Sequence, residues 1–287
     1  MKTRLSLLVT CLVLAGCGSG SSSPTVPSIQ AAHTYRLADF QPSGKVQPGK
    51  PVTVSFEIEQ PNGKPLTNYK RGSGPHTGIH LIIVRDDLST IIHRHPPVGA
   101  DGKLSDSIVF PQPGPYRVVV DAYPNVPTSP SGLPTAQSNF QLFSKIDVAG
   151  AYKPQPLPAF SPTATVGGYH FRIHGTPRLQ AIQSNVITIS VTDPNGRLAT
   201  FTPWFGALAH AIFFRSGSLD YFHTHVCAPG ANGCTSILGG ARVVGSSSTP
   251  GRLKVGVLLP VAGTWRLFLQ CRVNGHVLTA PFTLEVT

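Results

Sequence analysis

The chain repeats itself, and that constrains its fold more than any other feature. Val52-Thr-Val-Ser-Phe-Glu-Ile-Glu-Gln-Pro-Asn-Gly-Lys64 aligns with Asn185-Val-Ile-Thr-Ile-Ser-Val-Thr-Asp-Pro-Asn-Gly-Arg197. Both read as alternating strands that end in a Pro-Asn-Gly turn. Further on, His80-Leu-Ile-Ile-Val-Arg85 matches His210-Ala-Ile-Phe-Phe-Arg215, and His93-Arg-His95 matches His223-Thr-His225. Pro113-Gly-Pro-Tyr-Arg-Val-Val-Val120 then matches Ala262-Gly-Thr-Trp-Arg-Leu-Phe-Leu269. The first strand is displaced by 133 residues, the histidine segment by 130 and the late strand by 149, so the second copy gains 19 residues between His225 and Gly263.

A unit built of short strands and turns has to bury its apolar faces against a second sheet. The 29 Gly and 28 Pro among 287 residues suit turns and exclude helical bundles and coiled coils. With 40% apolar and 12% charged residues, the composition also excludes a disordered chain. The predicted fold is all-β: two tandem antiparallel sandwiches of immunoglobulin or cupredoxin type, over residues 33–149 and 169–287. A Pro-rich linker at 150–168 separates them. Tyr116 and Trp265, at the start of the two late strands, are expected to pack in the cores.

The N-terminus addresses the chain to export. Lys2 and Arg4 precede an apolar run from Leu5 to Ala15, too short for a permanent span. Leu14-Ala-Gly-Cys17 resembles the bacterial lipobox, which implies a signal peptide at 1–16 and a lipidated Cys17. Residues 17–32 then read as a flexible tether. The resemblance implies an exported lipoprotein held to the cell membrane by its N-terminal lipid. The formal charge of +11 comes from scattered Lys and Arg. Nucleic acid is therefore not the expected partner, whereas an envelope protein or an anionic polymer is compatible with a basic surface.

Removing the signal eliminates Cys11 and leaves Cys227, Cys234 and Cys271 beside the lipidated Cys17. In an exported chain this gives one disulfide and one remaining thiol. Cys227–Cys234 and Cys234–Cys271 are both open.

Both copies carry His-x12-His-x-His: His80, His93, His95 and His210, His223, His225. Two histidines separated by one strand residue project from the same face. In an antiparallel hairpin, paired residue numbers have a constant sum. Sums of 173 or 175 bring all three rings of the first copy to one face, and a sum of 435 does so in the second, leaving a Gly217-Ser218 turn. Three neutral imidazoles suit Cu(II) or Zn(II), so each copy is expected to take one ion. Alternatively, Ile82, Val84 and Ile91 share that face, and the rings are hydrogen-bonded members of a half-buried layer.

Tyr221-Phe-His-Thr-His225, the Pro113-Gly-Pro-Tyr-Arg117 strand and the terminal Thr279-Ala-Pro-Phe-Thr-Leu-Glu-Val286 resemble uncharacterised bacterial exported β-sandwich domains with a GH…YLHVHP pattern. This covers most of residues 169–287 and implies a metal-linked envelope domain without an assigned activity. A local likeness to copper–zinc superoxide dismutase also exists. Phe222-His-Thr-His225 with Asn232-Gly-Cys-Thr235 is similar to its copper-ligand strand and disulfide loop. After His225 only His276 remains, so that enzyme's further histidines have no counterparts and its activity does not carry over.

No GxSxG, phosphate loop, paired acidic motif or CxxC occurs, and the mature chain lacks Met for a Met-ligated copper site. Asp86, Asp87 and Asp220 are expected to shape turns, and His33, His76, His170 and His174 to lie outside any triad. The sequence thus points to a non-catalytic, lipid-anchored protein that binds a transition metal. The alternative is a structural or interaction module of the cell envelope with packing histidines.

Overall fold

Alternation along the strands decides which side chains enter each core. In β2 (Pro51–Glu59), Val54, Phe56 and Ile58 are fully buried, and β10 (Asn185–Thr192) buries Ile187, Ile189 and Val191 in the same way. The turns that follow place Gly63 and Gly196 at φ of 78° and 79°. Glycine takes this left-handed conformation without a Cβ clash. The computed structural model describes residues 34–70, 78–127, 139–228, 235–238, 241–247 and 250–287. Cys17, Cys234, His33 and His76 lie outside the described residues.

In the first repeat, β1 (Arg36–Gln41), β2 and β5 (Leu104–Val109) form one antiparallel sheet. The opposing sheet has the order β4 (Ile91–Arg94), β3 (Ile79–Arg85), β6 (Gly114–Ala122), β7 (Phe140–Val148). Between them lie Phe56, Ile58, Leu81, Ile83, Tyr116, Val118 and their neighbours. The second repeat packs β8 (Thr163–Val166), β9 (Tyr169–Ile173), β10 and β16 (Arg252–Val257) against the other half of its sandwich. That half holds β11 (Phe201–Thr202), β12 (Ala209–Arg215), β13 (Tyr221–Cys227), β17 (Gly263–Val273) and β18 (His276–Val286). The extra residues of this copy supply β14 (Thr235–Leu238) and β15 (Ala241–Ser246). β15 pairs with both β13 and β16, and so joins the two halves into one continuous sheet. Tyr116 and Trp265 are buried in their cores and donate to the carbonyls of Gln112 and Val261, each at 3.0 Å.

β3 and β12 are covered on both faces, and the second face is covered by the other repeat. Ile82, Val84, Leu88 and Val119 of the first copy form one buried cluster with Ile212, Phe214 and Phe268 of the second. Residues 34–287 accordingly make up one compact unit. The two sandwiches thus share a buried apolar layer. Within the predicted linker, β8 already pairs with β9. The stretch before it is tied to the β3–β4 turn: Gln155 N donates to Asp87 Oδ2 at 2.9 Å, and Arg85 Nη2 to the Lys153 carbonyl at 3.4 Å. Arg85 also pairs with Asp87 and lies 4.8 Å over the Tyr152 ring, and Leu157 packs on the inter-repeat cluster. Pro-rich composition carried no information on what this stretch docks against.

The cysteines differ in one respect from the open alternatives. Cys227 is disulfide-bonded, whereas Cys271 is a free thiol, completely buried in the second core. Its position on β17 points it inward among Leu267, Leu269 and Val273, so Cys271 is removed from the disulfide candidates.

Candidate metal centre

The two hairpins position the histidines. β3 and β4 pair with Leu81 opposite Arg94 and Ile82 opposite His93, a sum of 175 that, continued, sets His80 against His95. In β12 and β13, His210 stands opposite His225, a sum of 435. Each triad therefore lies on one face of its hairpin. That face is the outer one of each sandwich, and the two outer faces meet.

The six rings consequently form one cluster across the inter-repeat boundary. The His80 ring centroid is 4.4 Å from His95 and 4.6 Å from His223 of the other repeat. His93 lies 5.0 Å from His210, and His210 lies 4.7 Å from His225. Two sets of ring nitrogens fall within 4.8 Å of one another: His80 with His93 and His95, and His80 with His210, His223 and His225. The first set is the triad expected of the first repeat, and the second joins the triad expected of the second repeat to His80 across the boundary. His170, His174 and His276 lie elsewhere, on strands or turns of the second repeat.

Hydrogen bonds orient individual rings. His93 Nδ1 donates to Gln270 Oε1 at 2.9 Å, which leaves its Nε2 lone pair facing His95 Nε2 at 3.1 Å. His210 Nε2 donates to the Trp204 carbonyl at 2.9 Å, which leaves Nδ1 facing His223 Nε2 at 3.2 Å. Two nitrogens on one ion, each bonded at about 2.0–2.1 Å, stand about 2.9 Å apart at a right angle and about 3.3 Å at the tetrahedral angle. Both N···N separations fall inside that interval. Ligating imidazoles ordinarily donate their second N–H to a carbonyl or carboxylate, as His93 and His210 do here.

Electrostatics favour neutral rings. Burial, reinforced by His223, His225, His93 and His210, holds His80 well below the ordinary histidine range. Burial acts likewise on His223, together with His225, His210, His93 and His95. It pushes His93 down to about 3, against the contact with Gln270, which raises it. Neutral imidazole is the form that ligates. His95 and His225 are only partly buried and give solvent access to the cluster.

Sequence reasoning missed the groups around the rings. Asp121 is 1% exposed and accepts from Gln141 Nε2 at 2.8 Å, Asn139 Nδ2 at 3.0 Å, Tyr221 OH at 3.2 Å and Tyr123 OH at 3.4 Å. Its Oδ2 lies 3.5 Å from His223 Nδ1. Burial raises the Asp121 carboxyl above its ordinary range, and these donors lower it. In register, Asp121 stands opposite His80 and Gln270 opposite His210. Each follows its corner aromatic, Tyr116 or Trp265, by five residues. A polar residue at that repeated position, inside Val118-Val-Val-Asp121 and Leu267-Phe-Leu-Gln270, was the available signal. Trp204 and Phe205, from the loop before β12, cover the first-repeat rings: Phe205 stacks on His95 at 3.7 Å, and Trp204 meets His93 edge-on at 5.3 Å. No motif announced them.

Comparison with known families gives one decisive match. The model of a domain of unknown function, DUF8832, covers residues 33–126 and 164–287. The chain belongs to that family. The match takes in all six histidines and both orienting residues, Asp121 and Gln270, and passes over 127–163. No curated protein matches the chain. Among solved structures it is similar to FdeC, an Escherichia coli adhesin, at 15% identity over 91% of this chain and 66% of that one, with a TM-score of 0.25. Invasin, a bacterial integrin-binding protein, is 15% identical over 88% of this chain and 39% of its own, with a TM-score of 0.22. Fibronectin(III)-like modules of Clostridium thermocellum CbhA are 10% identical over 88% and 93%, also at 0.22. These are likenesses of β-sandwich chains, too distant to carry an argument about activity or partners.

Proposed function

We propose that the protein is an exported, lipid-anchored binder of a divalent transition metal, with a site built jointly by its two sandwiches. The observation that carries the reading is the convergence of six imidazoles from two hairpins, whose ring nitrogens fall into ligand-distance sets. An all-imidazole donor set suits Zn(II) or Cu(II). Lys2, Arg4, the apolar run and Leu14-Ala-Gly-Cys17 support the anchor, with an envelope protein or anionic polymer as the further class of partner. The test is metal analysis of the mature protein purified without a polyhistidine tag, followed by titration of the stripped protein with Zn(II) and Cu(II). Uptake near neutral pH that is lost in a His80/His93/His223 triple-alanine variant, which breaks both ligand sets, is expected. No uptake would overturn the metal reading. For the anchor, Cys17→Ser should leave the protein unprocessed or release it from membranes.

A second reading is a structural or interaction module whose histidines hold the repeats together. The cross-repeat contacts His93–Gln270 and Tyr221–Asp121 favour it, because they join the copies without any ion. It predicts folded, functional protein with no metal bound, and the same titration separates the two.

A further inference from the structure

The two repeats are related by their sequences, yet the two halves of the cluster are not equivalent. His80 and His210 are counterparts, and each has a ring centroid within 6.2 Å of the other five imidazoles. Perfect symmetry would let each serve both halves. The symmetry is broken at His210, whose Nε2 is taken by the Trp204 carbonyl. His80 has no such restraint: its Nδ1 is buried and has no hydrogen-bond partner among the described residues. By the distances between ring nitrogens, too, His80 enters both ligand sets, while His210 enters one.

We infer that the cluster loads in two unequal steps, with His80 as the ligand in common. This rests on the metal reading above. The first Zn(II) or Cu(II) is held by His80, His210, His223 and His225, a four-imidazole set that fills a tetrahedral ion. The remaining half then offers only His93 and His95, unless the second ion draws His80 away from the first. Two protein ligands make a weak site, and three make a usable one at the cost of a ligand to the occupied half. The second ion therefore binds more weakly than the first and loosens it.

The alternative architecture is two independent three-histidine sites, one per repeat, and the two differ in what His80 does. Titration of the full mature chain with Zn(II), followed by calorimetry, reads both steps. The expected wild-type result is two steps separated by at least tenfold in affinity. His80→Ala should weaken the first step by tenfold or more and remove the second. His93→Ala should leave the first step within about twofold of wild type and abolish the second, and it guards against a His80 variant that fails to fold. Two equal steps, with His80→Ala removing one and leaving the other unchanged, would overturn the inference while leaving metal binding intact. Absence of any uptake by the wild type would instead remove the reading on which the inference rests.

Discussion

Asp121 Oδ2 lies 3.5 Å from His223 Nδ1 although the two belong to different repeats, and the mirrored pairing puts Gln270 Oε1 2.9 Å from His93 Nδ1. Each late strand thus supplies a polar group to the other repeat's middle histidine. The exchange gives a role to the one polar residue in each otherwise apolar stretch, Val118–Asp121 and Leu267–Gln270. It also makes the polar cluster a joint product of both copies.

The Asp121 network should be costly to break. Truncation to alanine strands the hydroxyls of Tyr221 and Tyr123, while Asn139 keeps the Ala122 carbonyl and Gln141 keeps Asn139 Oδ1 as acceptors. Each unsatisfied buried group costs about 1–3 kcal/mol, so Asp121→Ala should lose about 3–5 kcal/mol after relaxation. Asp121→Asn, which keeps one accepting oxygen, should lose less. Urea denaturation checks both, and a loss below about 1 kcal/mol for the alanine variant would show that the network is not structural.

The apolar layer between the repeats should make them unfold together. Phe214 is fully buried in the cluster that also holds Ile82 and Val119 of the first copy. Phe214→Ala should cost about 3–5 kcal/mol, felt by reporters in both repeats. Its effect should be non-additive with Ile82→Ala, since residues sharing one packed site couple by about 0.5–3 kcal/mol. Two separate denaturation transitions in the wild type would contradict this.

Much of this was legible in the sequence. Although four residues, Ser216 to Leu219, close the second hairpin in place of the expected Gly217-Ser218 turn, its 435 register, the strands around Val54 and Ile189 and the common face of each histidine triad followed from period-two alternation. What covers that face did not. His80-Leu-Ile-Ile-Val-Arg85 and His210-Ala-Ile-Phe-Phe-Arg215 are apolar without alternation, the pattern of strands buried on both sides. Such a run says that a second partner exists but leaves its identity open. The partner is the other repeat, and only tertiary packing could bring His80 to His223. The orienting roles of Asp121 and Gln270 were hidden for the same reason, because each acts on a ring from the opposite copy.

The docked stretch before β8 offers a proteolytic prediction. Lys153 lies in exposed, extended chain held by Asp87 and Arg85. Chymotrypsin should cut between Tyr152 and Lys153 slowly in the wild type and several-fold faster in Asp87→Ala, which removes the acceptor for Gln155 N. N-terminal sequencing of the fragments identifies the cut. Equal rates in both proteins would mean that the contacts do not restrain the backbone.

Acid should destabilise the metal-free protein through its buried rings. His93 has a folded-state value of about 3 against the ordinary 6.5, and His80 and His223 shift in the same direction. Between those limits the unfolded chain binds a proton at each position and the native protein does not, so stability rises with pH. The contribution is complete above about pH 6.5 and is lost as pH falls toward the folded value. Each such histidine adds a slope approaching about 1.4 kcal/mol per pH unit. Asp121 opposes this in the window above 3.8, because its raised native value keeps the proton in the fold and favours the native state as pH falls. Urea midpoints measured in chelator should therefore change little from pH 8 to 7 and drop steeply between pH 6 and 5. His93→Ala should flatten that drop by close to one proton's slope. A midpoint constant from pH 7 to 5, or an unchanged slope in the variant, would show that these rings are not held neutral in the fold.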